Sequence, residues 1–564
     1  MATPLKLKSE RVGKVELTDE NPFLSVLVDT GVYHLDHEYD YSLPAKFNLD
    51  VGDWVSVPFN GRNCLGLVTK RSSKTSVAKV QPINRGAKGP KISVDQLKFY
   101  RAVANRWAVP IFDVLRFVSK YRNIADSKSS VFGSGKRIYM QLPSNLSETS
   151  AIDEFATKIA NKGETLVIVP EARIADSLQG KNYDVAMRGG SLSPKLYTNV
   201  IVLREDSEHH YEIKSPGFNT RDVVLLRNDI LKENLIFAGY SPSFEMARLI
   251  DNGYVEFKKS NSKTKVLARP SQQGELIPST LIKEFKSALS SGPVLVLAPA
   301  KGYGLAISCA SCRNIAHCDC GGKLSKQNKS ANPVCVICAK KYPNWKCIFC
   351  NKDLIYLLGR GIERIAEEFG RTFPNTEIHI ATAEKSIEGA IPKRSIVLAT
   401  AGAAPDFQYS SVLVLEGINL GADLRSEERY LSVLFKHAAY SKGSIMIVER
   451  PEHPAVNALI KWNPMPLLNR TLNELAEAKL PPTSRHALIK SEEADRIYSG
   501  FLSAERDKRL TNVRIHNLDN GVVSIFFDLK GANEFLSFLH EFQRRRSMNG
   551  KKLLKLRIDP YLLG

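Results

Sequence analysis

Eight of the nine cysteines in this chain fall within 42 residues. In chain order they form pairs spaced C-x2-C, C-x-C, C-x2-C and C-x2-C. The eight residues are Cys309, Cys312, Cys318, Cys320, Cys335, Cys338, Cys347 and Cys350. A two-residue spacer lets two thiolates reach one ion from a tight turn, and a tetrahedral zinc site takes four such ligands. The spacing therefore predicts two zinc ions, each fully ligated by thiolates and so structural rather than catalytic.

Two alternatives remain for these cysteines, a set of disulfides or one zinc site with spare thiols. The first residues lack the apolar core of a signal peptide. No stretch approaches the roughly 18 apolar residues that cross a bilayer. We therefore expect a cytoplasmic protein without membrane contact, whose thiols stay reduced.

The charge balance points to a polyanionic partner. The formal net charge is +20, with 79 Lys and Arg against 59 Asp and Glu. Such an excess is typical of nucleic-acid binding, although a merely basic surface is the simpler alternative. Phosphate contacts carry no sequence information, so the charge predicts no sequence preference.

The pattern of apolar segments predicts a multidomain α/β chain with two doubly wound lobes, which on a basic chain suggest a nucleic-acid motor. In chain order we expect a disordered N-terminus (1–22), a small β-rich domain (23–125), a linker (126–137), a first lobe (138–290), a second lobe (291–305 and 352–465) interrupted by the zinc insertion (306–351), and a C-terminal α+β domain (466–564).

The chain lacks the phosphate loop that a nucleic-acid motor needs, G-x4-G-K-[ST]. The nearest match, Gly133-Ser-Gly-Lys-Arg137, has Ser130 in place of the first glycine and Arg137 in place of the magnesium-binding hydroxyl. After the apolar segment 200–203 comes Arg204, which would repel a metal ion rather than bind it. The lobes therefore predict the architecture of a motor without its chemistry.

The order of these parts resembles the primosomal protein N′ (PriA) family, most closely its actinobacterial branch with degenerate helicase motifs. The resemblance covers roughly residues 24–564. It implies that the β-rich N-terminal domain binds DNA and that the two lobes are helicase-like (RecA-like). The segment VLVDTGVYHLDHEYDYSLP resembles the family's 3′-end-binding domain. In that family an aromatic-Asp-aromatic element receives the terminal nucleotide of a nascent strand, and here it is Tyr39, Asp40 and Tyr41. Aromatic rings stack on bases and a carboxylate accepts a hydrogen bond from a 3′-hydroxyl, but ordinary turn packing is the alternative.

The resemblance also implies that ATP hydrolysis is lost and that ATP binding is doubtful. The family's magnesium-binding Asp-Glu-Glu-His becomes Arg204, Glu205, Asp206 and Ser207. Its Gly-Ser-Ala-Thr-Pro-Ser becomes the segment 238–243, and two arginines of its final motif are replaced within 436–441. No catalytic residue is therefore expected.

In the family the cysteine pairs are nested. The resemblance thus assigns the first zinc to Cys309, Cys312, Cys347 and Cys350, and the second to Cys318, Cys320, Cys335 and Cys338. The Cys318–Cys320 pair has one intervening residue where the family usually has two, and His317 could replace Cys318 if that turn is strained. The C-terminal KLLKLRIDPYLLG resembles the family's final domain. Beside it, Arg544–Arg546 with Lys551 and Lys552 form either a DNA contact or a solvated helix face.

The resemblance implies a replication restart protein. Such a protein binds abandoned or stalled forks and promotes primosome assembly and reloading of the replicative helicase away from the origin. The expected partners are branched or single-stranded DNA, primosome components, the replicative helicase and single-strand-binding protein, in the nucleoid region of the cytoplasm. One alternative is an active ATP-dependent 3′-to-5′ helicase with a divergent nucleotide site. Another is a zinc-ribbon interaction protein that touches DNA incidentally.

Overall fold

The computed structural model arranges the described residues as four domains and one small insertion. The described residues are 16–121, 133–272, 275–299, 306–312, 314–319, 322–326, 331–336, 338–358, 361–387, 389–418, 423–518 and 521–562. Among them, no helix has both the length and the apolar character needed to cross a membrane.

The N-terminal domain is a six-stranded sheet followed by two helices. Its elements are β1 (Phe23–Val28), β2 (Glu38–Ser42), β3 (Trp54–Phe59), β4 (Arg62–Ser72), β5 (Gln81–Pro82), β6 (Arg85–Gly86), α1 (Val94–Arg106) and α2 (Ile111–Val118), with strand order β5-β2-β1-β4-β3-β6. A capping box starts α1. The Gln96 amide donates to Ser93 Oγ (3.2 Å) and the Ser93 amide donates to Gln96 Oε1 (2.8 Å), which satisfies two amides of the first turn.

The predicted disorder of residues 1–22 is wrong for residues 16–22. Leu17 forms a bridge with Pro44, and the amide of Thr18 donates to the carbonyl of Leu43 at 3.1 Å. These backbone bonds attach the segment to the sheet, so the domain begins earlier than predicted. Residues 1–15 and most of the predicted linker lie outside the described residues.

The first lobe is an all-parallel sheet with strand order β12-β7-β11-β10-β8-β9. Its elements are β7 (Arg137–Gln141), α3 (Glu148–Ala160), β8 (Thr165–Ile168), α4 (Ala172–Ser177), β9 (Asp184–Ala186), β10 (Asn199–Leu203), α5 (Thr220–Leu231), β11 (Asn234–Gly239), α6 (Phe244–Asp251) and β12 (Glu256–Lys258). The central strands are fully buried, as expected for a parallel sheet covered on both faces.

The second lobe is also an all-parallel sheet and is split by the cysteine-rich insertion. Before the insertion come β13 (Lys265–Ala268), α7 (Ser279–Ser291) and β14 (Val294–Ala298). The insertion carries β15 (Ala306–Cys309), β16 (Leu324–Ser325), β17 (Val334–Cys335) and β18 (Ile355–Leu358). After it come α8 (Ile362–Thr372), β19 (Glu377–Ala381), β20 (Ser395–Thr400), β21 (Ser411–Val414), α9 (Ser426–Ala439), β22 (Ser444–Ile447), α10 (Pro454–Ile460) and α11 (Met465–Glu477). The strand order of the lobe is β13-β22-β21-β14-β20-β19.

Strand pairing shifts two of the predicted boundaries, and helix packing shifts a third. Strand β13 pairs with β22, so the second lobe begins before residue 265 rather than at 291. Strand β18 pairs with β15, so the insertion extends to 358 rather than 351. Helix α11 packs in the core of the lobes, so that core extends beyond the predicted end at 465.

The C-terminal domain is an antiparallel four-stranded sheet with order β24-β25-β23-β26 and two helices. Its elements are β23 (Ser484–Lys490), α12 (Ala494–Arg506), β24 (Val513–Leu518), β25 (Val522–Asp528), α13 (Ala532–Met548) and β26 (Lys555–Ile558). One apolar cluster joins this domain to the N-terminal domain and the first lobe through residues such as Trp107, Phe218 and Leu539. The predicted multidomain α/β class, with a β-rich N-terminal domain, is confirmed.

Candidate functional sites

The outer four cysteines of the insertion converge on one point. Cys309 ends β15 and meets Cys350 with an Sγ–Sγ distance of 3.4 Å, and Cys312 meets Cys347 at 3.4 Å. All four sulfurs lie within 4.8 Å of one another. Sulfurs bound tetrahedrally to zinc at about 2.3 Å would stand about 3.8 Å apart, so the donor set and its spacing fit such an ion.

Local backbone amides favour the thiolate form in this outer cluster. The amide of Ser311 donates to Cys309 Sγ at 3.4 Å. Hydrogen bonding from the Cys312 amide lowers the pKa of the Cys309 thiol to about 6. Since metal ligands must be deprotonated, these amides prepare the cluster to hold a metal ion.

The inner cluster gathers three of its four predicted ligands. The sulfurs of Cys318, Cys335 and Cys338 lie within 4.8 Å of one another, with Cys318 and Cys338 at 3.5 Å. The hydroxyl of Tyr342 donates to Cys318 Sγ at 3.1 Å, a contact that no spacing rule predicted. Cys320, the predicted fourth ligand, lies outside the described residues. The structure therefore contains two cysteine clusters that could hold metal ions, nested in the predicted order.

The predicted 3′-end element lies on β2, between β5 and β1, and its side chains divide between two faces. Tyr41 is buried and its hydroxyl donates to the carbonyl of Pro58 at 3.0 Å. Tyr39 is half-buried and its ring lies 4.9 Å from that of Phe59. Because successive residues of a strand point to opposite faces, Asp40 points away from both tyrosines. The structure thus brings Tyr39 and Tyr41 together and separates them from Asp40.

Two hydroxyl groups hold the carboxylate of Asp40. Ser25 Oγ donates to one oxygen at 3.0 Å and Thr75 Oγ1 donates to the other at 2.6 Å. Ser25 lies opposite Asp40 in the β1–β2 register, whereas Thr75 follows β4. The register was open to prediction from the alternating pattern, but nothing in the sequence around Thr75 indicated its contact.

The motor cleft lies at the carboxyl edge of the first lobe's parallel strands, where ligands of such sheets bind. The weak phosphate-loop match at 133–137 is not at this edge. It precedes β7, and the carbonyl of Lys136 accepts from the amide of Leu235 at 2.8 Å in the sheet. The topological position of a phosphate loop, between β7 and α3, is the segment LPSNLS (142–147). It has neither glycine nor lysine, and the sequence alone did not identify it.

A buried ion-pair cluster lies at the end of β10, where the sequence resemblance places a magnesium-binding segment. Arg204 follows β10 with a left-handed backbone (φ +47°) and contacts Glu148 and Glu171 at 2.6 Å each. Lys436 from α9 lies 3.6 Å from Glu148. Burial alone would raise the pKa of Glu171, but the Arg204 guanidinium outweighs it and lowers that pKa to about 2. Two cations and two carboxylates therefore neutralise one another here.

The carboxylate of the next residue, Glu205, is also bound by groups of the protein itself. The carboxylate of Glu205 accepts from the amide and the hydroxyl of Ser243, each at 2.8 Å, and from Arg221 at 3.1 Å. Ser243 in turn caps α6 by accepting from the amide of Met246. Three of the about four acceptor positions of this carboxylate are therefore taken by groups of the protein itself.

Comparison with known proteins finds a likeness to PriA proteins. A family model described as "3'DNA-binding domain (3'BD)" of PriA matches residues 25–119. The "Probable replication restart protein PriA" of Mycobacterium tuberculosis is 26% identical over 557 residues, covering 81% of this chain and 85% of that protein. The predicted resemblance to PriA is confirmed.

Other PriA relatives extend the same finding. The Mycobacterium leprae protein of that name is 24% identical and covers 81% of this chain and 86% of its own. The Rickettsia conorii "Replication restart protein PriA" is 21% identical over 61% of this chain and 65% of its own. The PriA 3′ DNA-binding model ends near the end of α2. Because the Mycobacterium relatives cover 81% of the chain, their likeness extends beyond that domain into the lobes.

A solved structure also aligns with part of the fold. It is a Saccharomyces cerevisiae Dbp5 variant bound to RNA and ADP BeF3. The TM-score is 0.30 at 9% identity, over 68% of this chain and 97% of that one, and the likeness carries no argument at that level.

Proposed function

We propose that this protein binds abandoned or stalled replication forks as a non-hydrolysing restart factor. It would promote primosome assembly and reloading of the replicative helicase away from the origin. The observation that carries the proposal is the PriA 3′ DNA-binding match over residues 25–119 in a chain of net charge +20. Lys and Arg in such excess bind the phosphate backbone without regard to sequence, and the end-binding domain supplies the preference for a particular DNA shape.

Asp40 is the direct contact to the 3′ end in this proposal. An ionised carboxylate has about four acceptor positions, and Ser25 and Thr75 take one on each oxygen. Positions therefore remain for a terminal 3′-hydroxyl. Tyr39 and Tyr41, on the other face, shape the strand that presents Asp40, and the half-exposed Tyr39 ring is the one available to a base.

Both cysteine clusters bind zinc in this proposal, with Cys320 as the fourth inner ligand. Closed thiolate sites have no open coordination position, so the ions stabilise the fold of the insertion and do not activate water. The insertion then serves as a rigid element for contacts with primosome components, the replicative helicase and single-strand-binding protein.

The lobes act as a scaffold rather than as an ATPase. The Arg204 cluster fills the magnesium position with internal ion pairs, and the loop at 142–147 lacks the residues that hold phosphates. This favours the scaffold over the active 3′-to-5′ helicase, which requires a magnesium nucleotide in that position.

Fluorescence anisotropy on fork DNA tests the proposal. We expect a fork whose nascent strand ends in a 3′-hydroxyl at the branch to bind about tenfold more tightly than blunt duplex. Log affinity should fall linearly with log salt concentration. Asp40→Asn should remove most of the preference for a 3′-hydroxyl over a 3′-phosphate and leave duplex affinity unchanged.

The matched control is Asp19→Asn, which removes an exposed charge in the same domain. It should keep the full preference. Equal affinity of the wild type for forks and blunt duplex would overturn the proposal, and an unchanged 3′-hydroxyl preference in Asp40→Asn would overturn the role of Asp40.

A further inference from the structure

A carboxylate of the second lobe occupies the N-terminus of α3 in the first lobe. Asp406 lies between β20 and β21, and its two oxygens accept from the amides of Glu148 and Thr149, each at 2.8 Å. Both amides belong to the first turn of a 13-residue helix, where backbone N–H groups have no partner within the helix. The helix dipole adds to the attraction for a negative group.

This is the anion position of a nucleotide-binding lobe. In such lobes the helix that follows the first strand receives a phosphate at its N-terminus. Here that helix is α3, which follows β7. The group that would compete with a phosphate for these amides is therefore already supplied by the chain.

A second carboxylate of the second lobe binds a second helix of the first lobe in the same way. Glu428 on α9 accepts from the amide of Phe244 at 2.7 Å, in the first turn of α6. Arg425, just before α9, contacts Glu428 at 3.1 Å and Glu245 of the first lobe at 3.1 Å. Glu428 is almost fully buried, and Arg425 and Glu245 are largely buried, so these groups depend on one another across the cleft.

The same arginine reaches the C-terminal domain. Arg425 Nε donates to the carbonyl of Tyr561 at 2.7 Å, and its guanidinium lies 5.0 Å from the centre of the Tyr561 ring. A further polar contact joins the lobes where Ser432 Oγ donates to Asp206 at 2.5 Å. Apolar residues from both lobes surround these contacts in one shared core.

We propose that these contacts form an internal latch that holds the two lobes in one fixed arrangement with or without ATP. Asp406 is its built-in anion, and Arg425 with Glu245 and Glu428 is its ionic link. Opening the cleft would expose two helix N-termini and leave buried charges without partners. The latch rests on the proposed scaffold function, because it converts a hinge into a rigid platform for DNA.

Hydrogen–deuterium exchange of the full-length protein tests the latch. Asp406→Asn keeps the shape of the side chain but removes its charge and one of its two acceptors. We expect amide exchange over residues 148–151 to become about tenfold faster, which is the usual effect of losing a hydrogen bond to a charged group. In the wild type, millimolar MgATP should change exchange at these amides by less than about twofold.

The matched control is Glu284→Gln. Glu284 is an acid of the second lobe that pairs with Lys265 inside that lobe, at 3.0 Å. This variant should exchange like the wild type over 148–151. Since a misfolded Asp406 variant would also exchange fast, exchange in β25 of the C-terminal domain serves as the internal reference and should not change.

Two results would overturn the latch. One is unchanged exchange over 148–151 in Asp406→Asn, and the other is strong protection of these amides by MgATP in the wild type. Fork affinity measured on the same samples separates the two proposals. If the wild type shows no preference for forks but its amides over 148–151 exchange slowly and Asp406→Asn speeds that exchange, only the scaffold function is contradicted. If the wild type prefers forks but Asp406→Asn exchanges like the wild type over 148–151, only the latch is contradicted.

Discussion

The cysteine-rich insertion and the cleft between the lobes differ in whether their side chains are arranged to bind a ligand or to bind one another. In the insertion, thiols from four separate turns gather as the spacing predicts. In the cleft, the positions that would hold phosphate and magnesium are filled by side chains of the protein itself. The comparison teaches that the buried charges in the cleft are compensated by partners within the protein, whereas the gathered thiols of the insertion form sites that could hold a metal ion.

The largest expected effect tests whether the outer cysteine cluster binds a metal ion. Cys347→Ser removes one thiolate of the outer cluster, and we expect the metal content to fall from two ions to one per chain. Structural zinc contributes about 10 kcal/mol or more to folding of such modules, so the insertion should also become protease-sensitive. Elemental analysis of the purified protein measures the metal.

Cys64→Ser is the control, because Cys64 lies in the N-terminal domain, far from either cluster in the chain. It should keep two ions. Two ions in Cys347→Ser, or none in the wild type, would contradict the metal assignment.

The next effect tests how much the buried ion pairs in the cleft stabilise the fold, by comparing two arginines that contact the same carboxylate, Glu171. Arg204 and Arg173 both contact Glu171 at 2.6 Å, but the side chain of Arg204 is 10% exposed and that of Arg173 is 43% exposed. Arg204→Ala removes the buried cation shared by Glu148 and Glu171 and leaves only Lys436 at 3.6 Å from Glu148 and the more exposed Arg173 beside Glu171. It should lower the free energy of unfolding by about 3–5 kcal/mol. Arg173→Ala should cost no more than about 1 kcal/mol. Urea titration measures the free energy of unfolding of both variants. Equal losses would mean that the buried ion pairs of Arg204 do not stabilise the fold more than the surface pair of Arg173.

The smallest effect is a pH dependence of the ionic link. Burial raises the pKa of Glu428 and of Glu205 to about 7, although Arg425 and Arg221 oppose the shift. Between about pH 4.5 and 7 the unfolded chain loses these protons while the folded chain keeps them. The stabilisation is therefore complete below about pH 4.5 and is lost as the pH rises through about 7.

We expect each of the two groups to contribute a slope of about −1 kcal/mol per pH unit to the free energy of unfolding between about pH 5 and 7, so that together they contribute about −2. Glu428→Gln should reduce the slope, because the amide does not titrate. Glu427→Gln, the next acid on α9, pairs with Arg470 near the surface and should leave the slope intact. A slope that is the same in all three proteins would exclude Glu428 as a titrating group of the latch.

The sequence predicted local features well and contacts across the cleft poorly. The close cysteine pairs follow from their spacing because each pair is made by a short turn, whereas the nested order came from the family resemblance alone. The central strands of both lobes follow from continuous apolar segments, but the apolar segment 223–226, which suggested a further strand, lies in helix α5. Strand β13 was not predicted from the sequence. Its segment, KVLA, is short and lies at the edge of a sheet, where most of its residues are not fully buried and the apolar pattern is weak.

The contact of Asp406 with Glu148 could not be predicted, because the two residues are 258 positions apart and a carboxylate bound to backbone amides leaves no complementary residue type in the sequence. The side-chain alternation on β2 was open to prediction. It separates Asp40 from Tyr39 and Tyr41, which the aromatic-Asp-aromatic motif taken alone would place together.

The most direct test of the account adds MgATP to the fork-binding experiment and measures phosphate release. The account predicts tight binding of a fork with a 3′-hydroxyl at the branch, no change in that affinity with MgATP, and no phosphate release above a protein-free control. Fork-stimulated ATP hydrolysis that is lost on substitution of a residue in the cleft of this protein would contradict the central claim that the cleft is a latch and not a motor.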